Sequence, residues 1–141
     1  MNVSVKWDKG LLFKAENATG GMVEMGRPAD YPQAVSPMEM VLQAAGGCSS
    51  IDILMILEKQ RVQVRSYRVE VRGERQEEGQ AKPFREISLY YFLEAGDADA
   101  AKVRRAVELS VEKYCSVIKM LEQAVAIRYE ITLNGSKIER E

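Results

Sequence analysis

The chain has 141 residues, of which 46% are hydrophobic and 29% are charged, a composition typical of one globular domain. Its 20 basic and 21 acidic residues give a net charge of −1 and form no basic stripe, so nothing indicates nucleic-acid binding. The absence of histidine excludes the usual base of serine and cysteine hydrolases and most zinc sites. We expect a single domain over residues 1–141 with neither metal nor cofactor.

The sequence predicts a soluble protein. The first ten residues lack the apolar core of a signal peptide. The longest apolar stretch, residues 41–57, is interrupted by polar side chains such as Gln43 and Asp52, and we expect it to be too short and too polar to span a bilayer. Two cysteines in such a chain are rarely a permanent structural disulfide. A cytoplasmic protein without membrane contact is therefore expected.

The first part of the chain is predicted to form β-strands. Residues 2–16 alternate between apolar and polar side chains around a turn signal at residues 8–10, which predicts a β-hairpin. A short strand at residues 22–25 follows the turn at Gly20, and a loop with two prolines covers residues 27–35.

A long apolar helix is predicted next. Ser36 and Glu39 can form a capping box, and Pro37 suits the first helical position. From there to about Arg61, apolar residues occur on nearly all sides, whereas a surface helix carries a single apolar stripe. We therefore expect a buried central helix.

The second half of the chain is predicted to mix strands and helices. Strands are expected at residues 66–74 and 84–93, and Tyr90 and Phe92 make both faces of the second one apolar, as in strands that are covered on both sides or lie at a subunit interface. Two helices follow, and a last strand covers residues 127–133. Their expected buried side chains are Ala100, Val103, Val107, Val111 and Tyr114 in the first helix and Val117, Met120, Leu121 and Ala124 in the second. The predicted fold is α+β, in the order β-β-β-α-β-β-α-α-β.

The two cysteines both fall at unusual helix positions. Cys48 follows Gly46 and Gly47 inside the long helix, where each glycine costs about 1 kcal/mol relative to alanine. Small residues there let another element approach closely or leave space beside the thiol, and an inert, tightly packed cysteine explains the segment equally well. Cys115 lies between the two later helices, where free amides and nearby lysines (Lys113 and Lys119) would favour a thiolate. Together they suggest a nucleophilic and a resolving thiol, or two packing residues.

Several segments resemble the OsmC/Ohr family, and within it the YhfA-like subgroup. They are Ala18-Thr19-Gly20-Gly21, Ser36-Pro37-Met38-Glu39 leading into Ala45-Gly46-Gly47-Cys48, and Glu112-Lys113-Tyr114-Cys115-Ser116-Val117. The resemblance covers essentially the whole chain. It implies an intertwined homodimer in which sheets wrap the long buried helices, with two equivalent sites at the interface.

The resemblance also implies thiol peroxidase chemistry. Cys48 would be the peroxidatic residue that attacks an organic hydroperoxide, Cys115 would be the resolving residue that forms a disulfide with it, and a lipoyl-type dithiol would reduce the pair. Catalytic members carry an arginine and a glutamate where this sequence has Met22 and Met38. We therefore expect weaker peroxidase activity, because an apolar pocket raises the pKa of a thiol and slows its attack.

Other functions stay open at this point. The two methionines suit a non-catalytic dimer that binds a small hydrophobic ligand in an apolar interface pocket. A structural or regulatory dimer with inert cysteines is a third hypothesis. A hot-dog-type thioesterase could also wrap a sheet around a buried helix, but it accounts for neither cysteine.

Overall fold

A computed structural model of the chain describes residues 1–140. Its strands are β1 (Val3–Lys9), β2 (Leu12–Asn17), β3 (Met22–Gly26), β4 (Ser66–Arg75), β5 (Phe84–Glu94), β6 (Ala126–Leu133) and β7 (Ser136–Ile138). Its α-helices are α1 (Pro37–Lys59), α2 (Ala100–Leu109) and α3 (Ser116–Leu121). A 3-10 turn at Asp97–Asp99 precedes α2, and a π-helical turn at Ser110–Tyr114 joins α2 to α3. The α+β prediction and its order of elements are confirmed, with β7 added at the end.

The chain folds into two compact units, Met1–Val41 and a second that starts at Leu42. The expectation of a single domain over residues 1–141 stays a prediction. In the first unit, β1, β2 and β3 form an antiparallel sheet in that order. The hairpin between β1 and β2 turns at Gly10, whose φ of 49° lies in the left-handed region that glycine adopts without strain.

The start of α1 is fixed by the predicted capping box. The backbone N–H of Ser36 donates to Glu39 Oε1 at 3.0 Å, and the backbone N–H of Glu39 donates to Ser36 Oγ at 3.1 Å. Hydrogen bonding of the carboxylate to the backbone N–H of Ser36, and to a lesser extent to its hydroxyl, holds the pKa of the Glu39 carboxyl below its ordinary value. Glu39 therefore acts as a structural cap, because its carboxylate is already used by the helix start.

The second unit contains a four-stranded sheet in the order β4-β5-β6-β7. β5 and β6 are parallel, and the other two pairs are antiparallel. Parallel neighbours need a crossover connection, which α2, the π-helical turn and α3 supply. The buried face of the sheet consists of Ile87, Leu89, Tyr91, Leu93, Tyr129, Ile131 and Leu133.

The second apolar face of β5 is shielded by arginines. The guanidinium of Arg68 lies 3.9 Å from the centroid of the Phe92 ring, and that of Arg72 lies 5.0 Å from the Tyr90 ring. Stacked guanidiniums shield aromatic faces while keeping their charge in water. Arginine side chains therefore cover part of this face in the single chain, and its place at a subunit interface stays a prediction.

Within the single chain, helix α1 is buried along one face, and the burial of its other sides in an intertwined dimer stays a prediction. Its buried residues are Ala45, Gly46, Ser49, Ile53 and Leu57. On other sides of the helix, Ile51, Leu54 and Met55 are 64%, 40% and 52% exposed. Hydrophobicity shows that a face avoids water, but it does not show which surface covers that face.

The expectation that the apolar stretch is too short and too polar to cross a membrane is wrong by length and composition alone. Helix α1 is 23 residues long, with a mean hydropathy of 1.6 over its most apolar stretch. By length and composition it is long and apolar enough to cross a membrane. The prediction counted only residues 41–57, whereas the helix extends beyond both ends of that range. A core helix of a soluble protein meets the same criteria, so this property alone assigns no membrane role.

The predicted buried faces of the two later helices are correct only in part. Val103, Val107 and Val111 are buried as expected, but Tyr114 is 50% exposed. The π-helical turn widens the last turn before Cys115, and we attribute the displacement of Tyr114 from the buried stripe to this widening. In α3 the buried residue is Ile118, which the prediction missed. Met120 is 67% exposed, Ala124 is exposed, and Val117 and Leu121 are half-buried.

Candidate functional site

The second unit brings the two thiols near one another. Cys48 lies in the middle of α1 and is half-buried, and Cys115 lies between the π-helical turn and α3 and is buried. Both are free thiols. Their side chains interact, since the neighbouring Cys48 thiol contributes to the pKa of Cys115. The chain has only these two cysteines, and the fold places them near one another.

Cys115 caps the start of α3 with its sulfur. Its Sγ accepts a hydrogen bond from the backbone N–H of Ile118 at 3.5 Å. Burial nevertheless raises the pKa of the Cys115 thiol to about 11, against the lowering by the Ile118 amide, and the Cys48 thiol adds to the rise. The predicted stabilisation of a thiolate at this position is therefore wrong in its net direction, because desolvation outweighs the helix amides.

The two lysines expected to assist Cys115 are engaged elsewhere. Lys119 Nζ donates to the backbone carbonyl of Glu112 at 2.9 Å and lies 2.7 Å from Glu122 Oε1. Lys113 Nζ lies 5.3 Å from the centroid of the Tyr114 ring. Their positive charges therefore have partners other than the sulfur. Cys115 is a protonated thiol at neutral pH, as its raised pKa requires.

The two glycines before Cys48 have different surroundings. A Cβ atom on Gly46 would lie 3.0 Å from Val71 Cγ2 and 3.3 Å from Val69 Cγ1, so this glycine lets β4 pack against α1. A Cβ atom on Gly47 would meet nothing within 4 Å. Close packing and free space were alternative explanations of the pair in the sequence. In the structure, close packing applies to Gly46 and free space applies to Gly47.

A set of buried hydroxyls surrounds this part of α1. Tyr91 Oη donates to Ser49 Oγ at 2.7 Å, and Ser49 Oγ in turn donates to the Ala45 carbonyl at 2.8 Å. Burial raises the pKa of Tyr91 well above its ordinary range. Ser110 Oγ lies 3.0 Å from the Ser49 carbonyl oxygen. Sequence reasoning missed Ser49, Tyr91 and Ser110, because serine and tyrosine carry no spacing motif that marks them as neighbours of a thiol.

A second hydroxyl pair connects α1 to β4. Tyr67 Oη donates to Ser50 Oγ at 2.7 Å, and Ser50 Oγ donates to the Gly46 carbonyl at 2.6 Å. Burial raises the pKa of Tyr67 to about 12, so it stays protonated at neutral pH. This pair fastens the helix to the sheet. Buried hydroxyls need such partners to offset their loss of hydration.

Met22 and Met38 lie in the first compact unit, whereas the thiols lie in the second. Met22 is the first residue of β3 and is 54% exposed, and Met38 is in the first turn of α1 and half-buried. The thiol site described above consists of residues of the second unit alone.

Comparison with known proteins decides the family. Residues 30–130 match the family model described as OsmC-like protein. The chain belongs to this family. It is 48% identical over 130 residues to Protein YhfA of Escherichia coli (strain K12), an alignment that covers 92% of this chain and 95% of YhfA. The family assignment made from the cysteine motifs is thereby confirmed.

Solved structures show the same fold. A hypothetical protein from Aquifex aeolicus VF5 superposes with a TM-score of 0.79 at 26% identity, covering 94% of this chain and 96% of that one. The organic hydroperoxide resistance protein OhrB of Bacillus subtilis superposes with a TM-score of 0.63 at 14% identity, covering 93% and 96%. At that identity the likeness to OhrB establishes the OsmC-like fold and nothing more.

Proposed function

We propose that this OsmC-like protein is a thiol peroxidase that reduces organic hydroperoxides, with Cys48 as the peroxidatic and Cys115 as the resolving residue. The observation that carries the proposal is the proximity of the two cysteines of the chain. OhrB, which shares the fold, is named for organic hydroperoxide resistance, and this supports the choice of substrate class. The expected location is the cytoplasm.

The two thiols suit different steps. Cys48 is half-buried, so part of its side chain is accessible to a substrate. Cys115 is buried and its pKa is raised to about 11, so it stays protonated and inaccessible. A peroxidatic cysteine must meet the substrate, whereas a resolving cysteine needs to meet only its partner. The exposure of the two residues therefore favours the order Cys48 first and Cys115 second.

The proposed cycle balances as follows. The Cys48 thiolate attacks the terminal oxygen of the hydroperoxide ROOH, the O–O bond breaks, and the alcohol ROH leaves with one proton, which gives a sulfenic acid. Cys115 then gives up its proton and attacks the Cys48 sulfur as a thiolate, and a disulfide forms as the hydroxyl group of the sulfenic acid takes up that proton and leaves as water. An external dithiol of the lipoyl type reduces this disulfide by exchange and leaves as the oxidised cyclic disulfide.

We expect the rate to be modest. In the family resemblance an arginine and a glutamate assist the attack, and this chain has Met22 and Met38 instead. Methionine supplies no charge to stabilise the thiolate or to orient the peroxide. The peroxidase rate should therefore lie below that of members that keep the charged pair.

We also propose that the protein works as a homodimer. The apolar residues Ile51, Leu54 and Met55 on α1 are exposed in the single chain. Burying them in an interface would remove apolar surface from water and so stabilise the dimer. A second copy of the chain offers the same helix and so a self-complementary apolar surface. The wrapped, intertwined arrangement implied by the family resemblance remains part of this proposal.

A thiol titration tests the proposed chemistry. Fully reduced protein treated with one equivalent of cumene hydroperoxide should lose two free thiols per chain, and mass spectrometry should find a Cys48–Cys115 disulfide. Cys48→Ser should consume no peroxide. Cys115→Ser should instead accumulate a sulfenic acid on Cys48, which a dimedone label detects. Two free thiols remaining in the wild-type protein after peroxide treatment would rule out the peroxidase.

A second candidate function is the non-catalytic binding of a small hydrophobic ligand. The exposed apolar residues of α1 and the open space at Gly47 favour it. A shift of the melting temperature with lipid-like compounds, but not with hydroperoxides, would support ligand binding over catalysis. The same shift in Cys48→Ser would show that the thiol is not required.

A further inference from the structure

We infer that Ser110 is a positioning residue that holds the two thiols together and thereby sets the reduction potential of the Cys48–Cys115 pair. Its hydroxyl and its backbone carbonyl each make a hydrogen bond next to one of the two cysteines. One reaches the residue that follows Cys48, and the other reaches Cys115 itself. We call this arrangement the serine clamp (Ser110 with its bonds to Ser49 and Cys115). The inference rests on the proposed function, since it concerns the same thiol pair.

The first half of the clamp connects Ser110 to α1. Ser110 Oγ lies 3.0 Å from the backbone carbonyl oxygen of Ser49 and 3.2 Å from Asp52 Oδ2, and the Ser110 residue is fully buried. A helical serine commonly bonds back to a carbonyl of its own preceding turn. Ser110 instead reaches across to another helix. Because Ser49 follows Cys48 directly, this hydrogen bond fixes the stretch of α1 that carries Cys48.

The second half connects Ser110 to Cys115. The backbone N–H of Cys115 donates to the Ser110 carbonyl oxygen at 2.8 Å. This bond spans five residues and closes the π-helical turn Ser110–Tyr114, a rare geometry that often occurs at functional sites. The wide turn ends the helical segment at the thiol, and Cys115 then caps α3. One residue therefore fixes the backbone on both sides of the sulfur pair.

Such a clamp has a chemical consequence. Two thiols that are already held together in the reduced state lose little conformational freedom when they form a disulfide, so their effective concentration is high. A high effective concentration favours the disulfide and makes the reduction potential more negative. Without the Ser110 hydroxyl, the π-helical turn loses its hydrogen bond to α1, and the pair should be oxidised less readily.

An equilibrium titration against mixtures of reduced and oxidised dithiothreitol tests the clamp on the full-length protein. We expect Ser110→Ala to lower the equilibrium constant for disulfide formation about tenfold, which corresponds to a potential about 30 mV less negative. Ser110→Thr keeps the hydroxyl and should restore the constant to roughly within twofold of wild type. An unchanged constant in Ser110→Ala, or an equal drop in both variants, would overturn the inference.

Ser50→Ala is the matched control. It also removes a hydrogen-bonded hydroxyl close to Cys48 on α1, but that hydroxyl bonds to Tyr67 and Gly46 and makes no bond to the π-helical turn. It should lower the melting temperature without moving the dithiol equilibrium. If Ser50→Ala shifts the potential as far as Ser110→Ala does, the effect is general loosening and the clamp is wrong.

A measurement on the wild-type protein needs no folded variant. In the reduced state the amide of Cys115 should exchange its hydrogen slowly, because it is bonded to Ser110. Exchange as fast as in an exposed loop would contradict the clamp. The titration uses no peroxide, so a chain that fails to react with peroxide but shows the Ser110 shift loses the proposed peroxidase and keeps the clamp.

Discussion

Helix α1 has two apolar faces that differ in what covers them. One face packs within the second unit through Ala45, Ile53 and Leu57, which are fully buried. The other exposes Ile51 and Met55, which are 64% and 52% accessible. The sequence of both faces is almost equally apolar. Burial is thus a property of the neighbouring surfaces, and hydrophobicity only predicts that some neighbour exists.

The largest expected effect is a difference in the free energy of unfolding between alanine variants of two isoleucines that lie two positions apart on this helix. Ile53 is fully buried and Ile51 is 64% exposed. Ile53→Ala should lower the free energy of unfolding by about 2–5 kcal/mol, because it removes buried methyl groups and leaves a cavity. Ile51→Ala should change it by less than about 0.5 kcal/mol in dilute, monomeric protein. Urea denaturation at low protein concentration measures both.

Protein concentration sharpens this comparison. If a second copy covers Ile51, the cost of Ile51→Ala should grow with protein concentration, because dimer formation contributes to stability by mass action. The cost of Ile53→Ala should be independent of concentration. A small, concentration-independent effect of Ile51→Ala, together with a monomeric mass in ultracentrifugation, would reject the proposed homodimer.

The two glycines before Cys48 allow the same comparison at a smaller scale. Alanine at either position gains the same helix propensity, about 1 kcal/mol over glycine. A Cβ atom at Gly46 would press against Val69 and Val71, whereas one at Gly47 would meet open space. Gly46→Ala should therefore be less stable than Gly47→Ala by about 1–3 kcal/mol. Equal melting temperatures for the two variants would show that Val69 and Val71 make room for the added methyl group without cost in stability.

Local signals in the sequence predicted much of the fold. The Ser36–Glu39 capping box, the hairpin of β1 and β2 and the order of elements all depend on neighbouring residues, so they could be read from the chain directly. The cysteine motifs predicted the family in the same way. Both thiols were also selected by their unusual helix positions, and the fold brings them together.

The rest depended on contacts between distant residues. The pKa of Cys115 is decided by burial, which outweighs the helix amides that the sequence reveals. The exposure of Tyr114 was mispredicted as well, and we ascribe it to a π-helical turn that has no sequence signature. Ser110 was overlooked because its partners, Ser49 and Asp52, lie on another helix. Each of these errors concerns the surroundings of a side chain rather than the existence of a helix or strand.

The smallest expected effect concerns the two thiols, which differ in burial as the faces of α1 do. Cys48 is half-buried, whereas Cys115 is buried and its pKa rises from 9.0 to about 11. Between these values the folded chain holds the Cys115 proton more tightly than the unfolded chain does. Its contribution to stability is therefore complete below about pH 9 and is lost as the pH rises through about 11.

Denaturant titrations of the reduced protein between pH 9 and 10 measure this loss, which should not exceed about 1.4 kcal/mol per pH unit. Cys115→Ser should flatten the slope. Cys48→Ser should keep most of it, because burial is the largest cause of the shift and Cys48 only adds to it. The thiol is measured by the difference between variants, since Tyr67, Tyr91 and Tyr129, whose pKa values are also raised by burial, act in the same direction as the pH approaches their ordinary value of 10.0. A slope as steep in Cys115→Ser as in the wild-type protein would mean that this thiol is as hydrated in the folded chain as in the unfolded one.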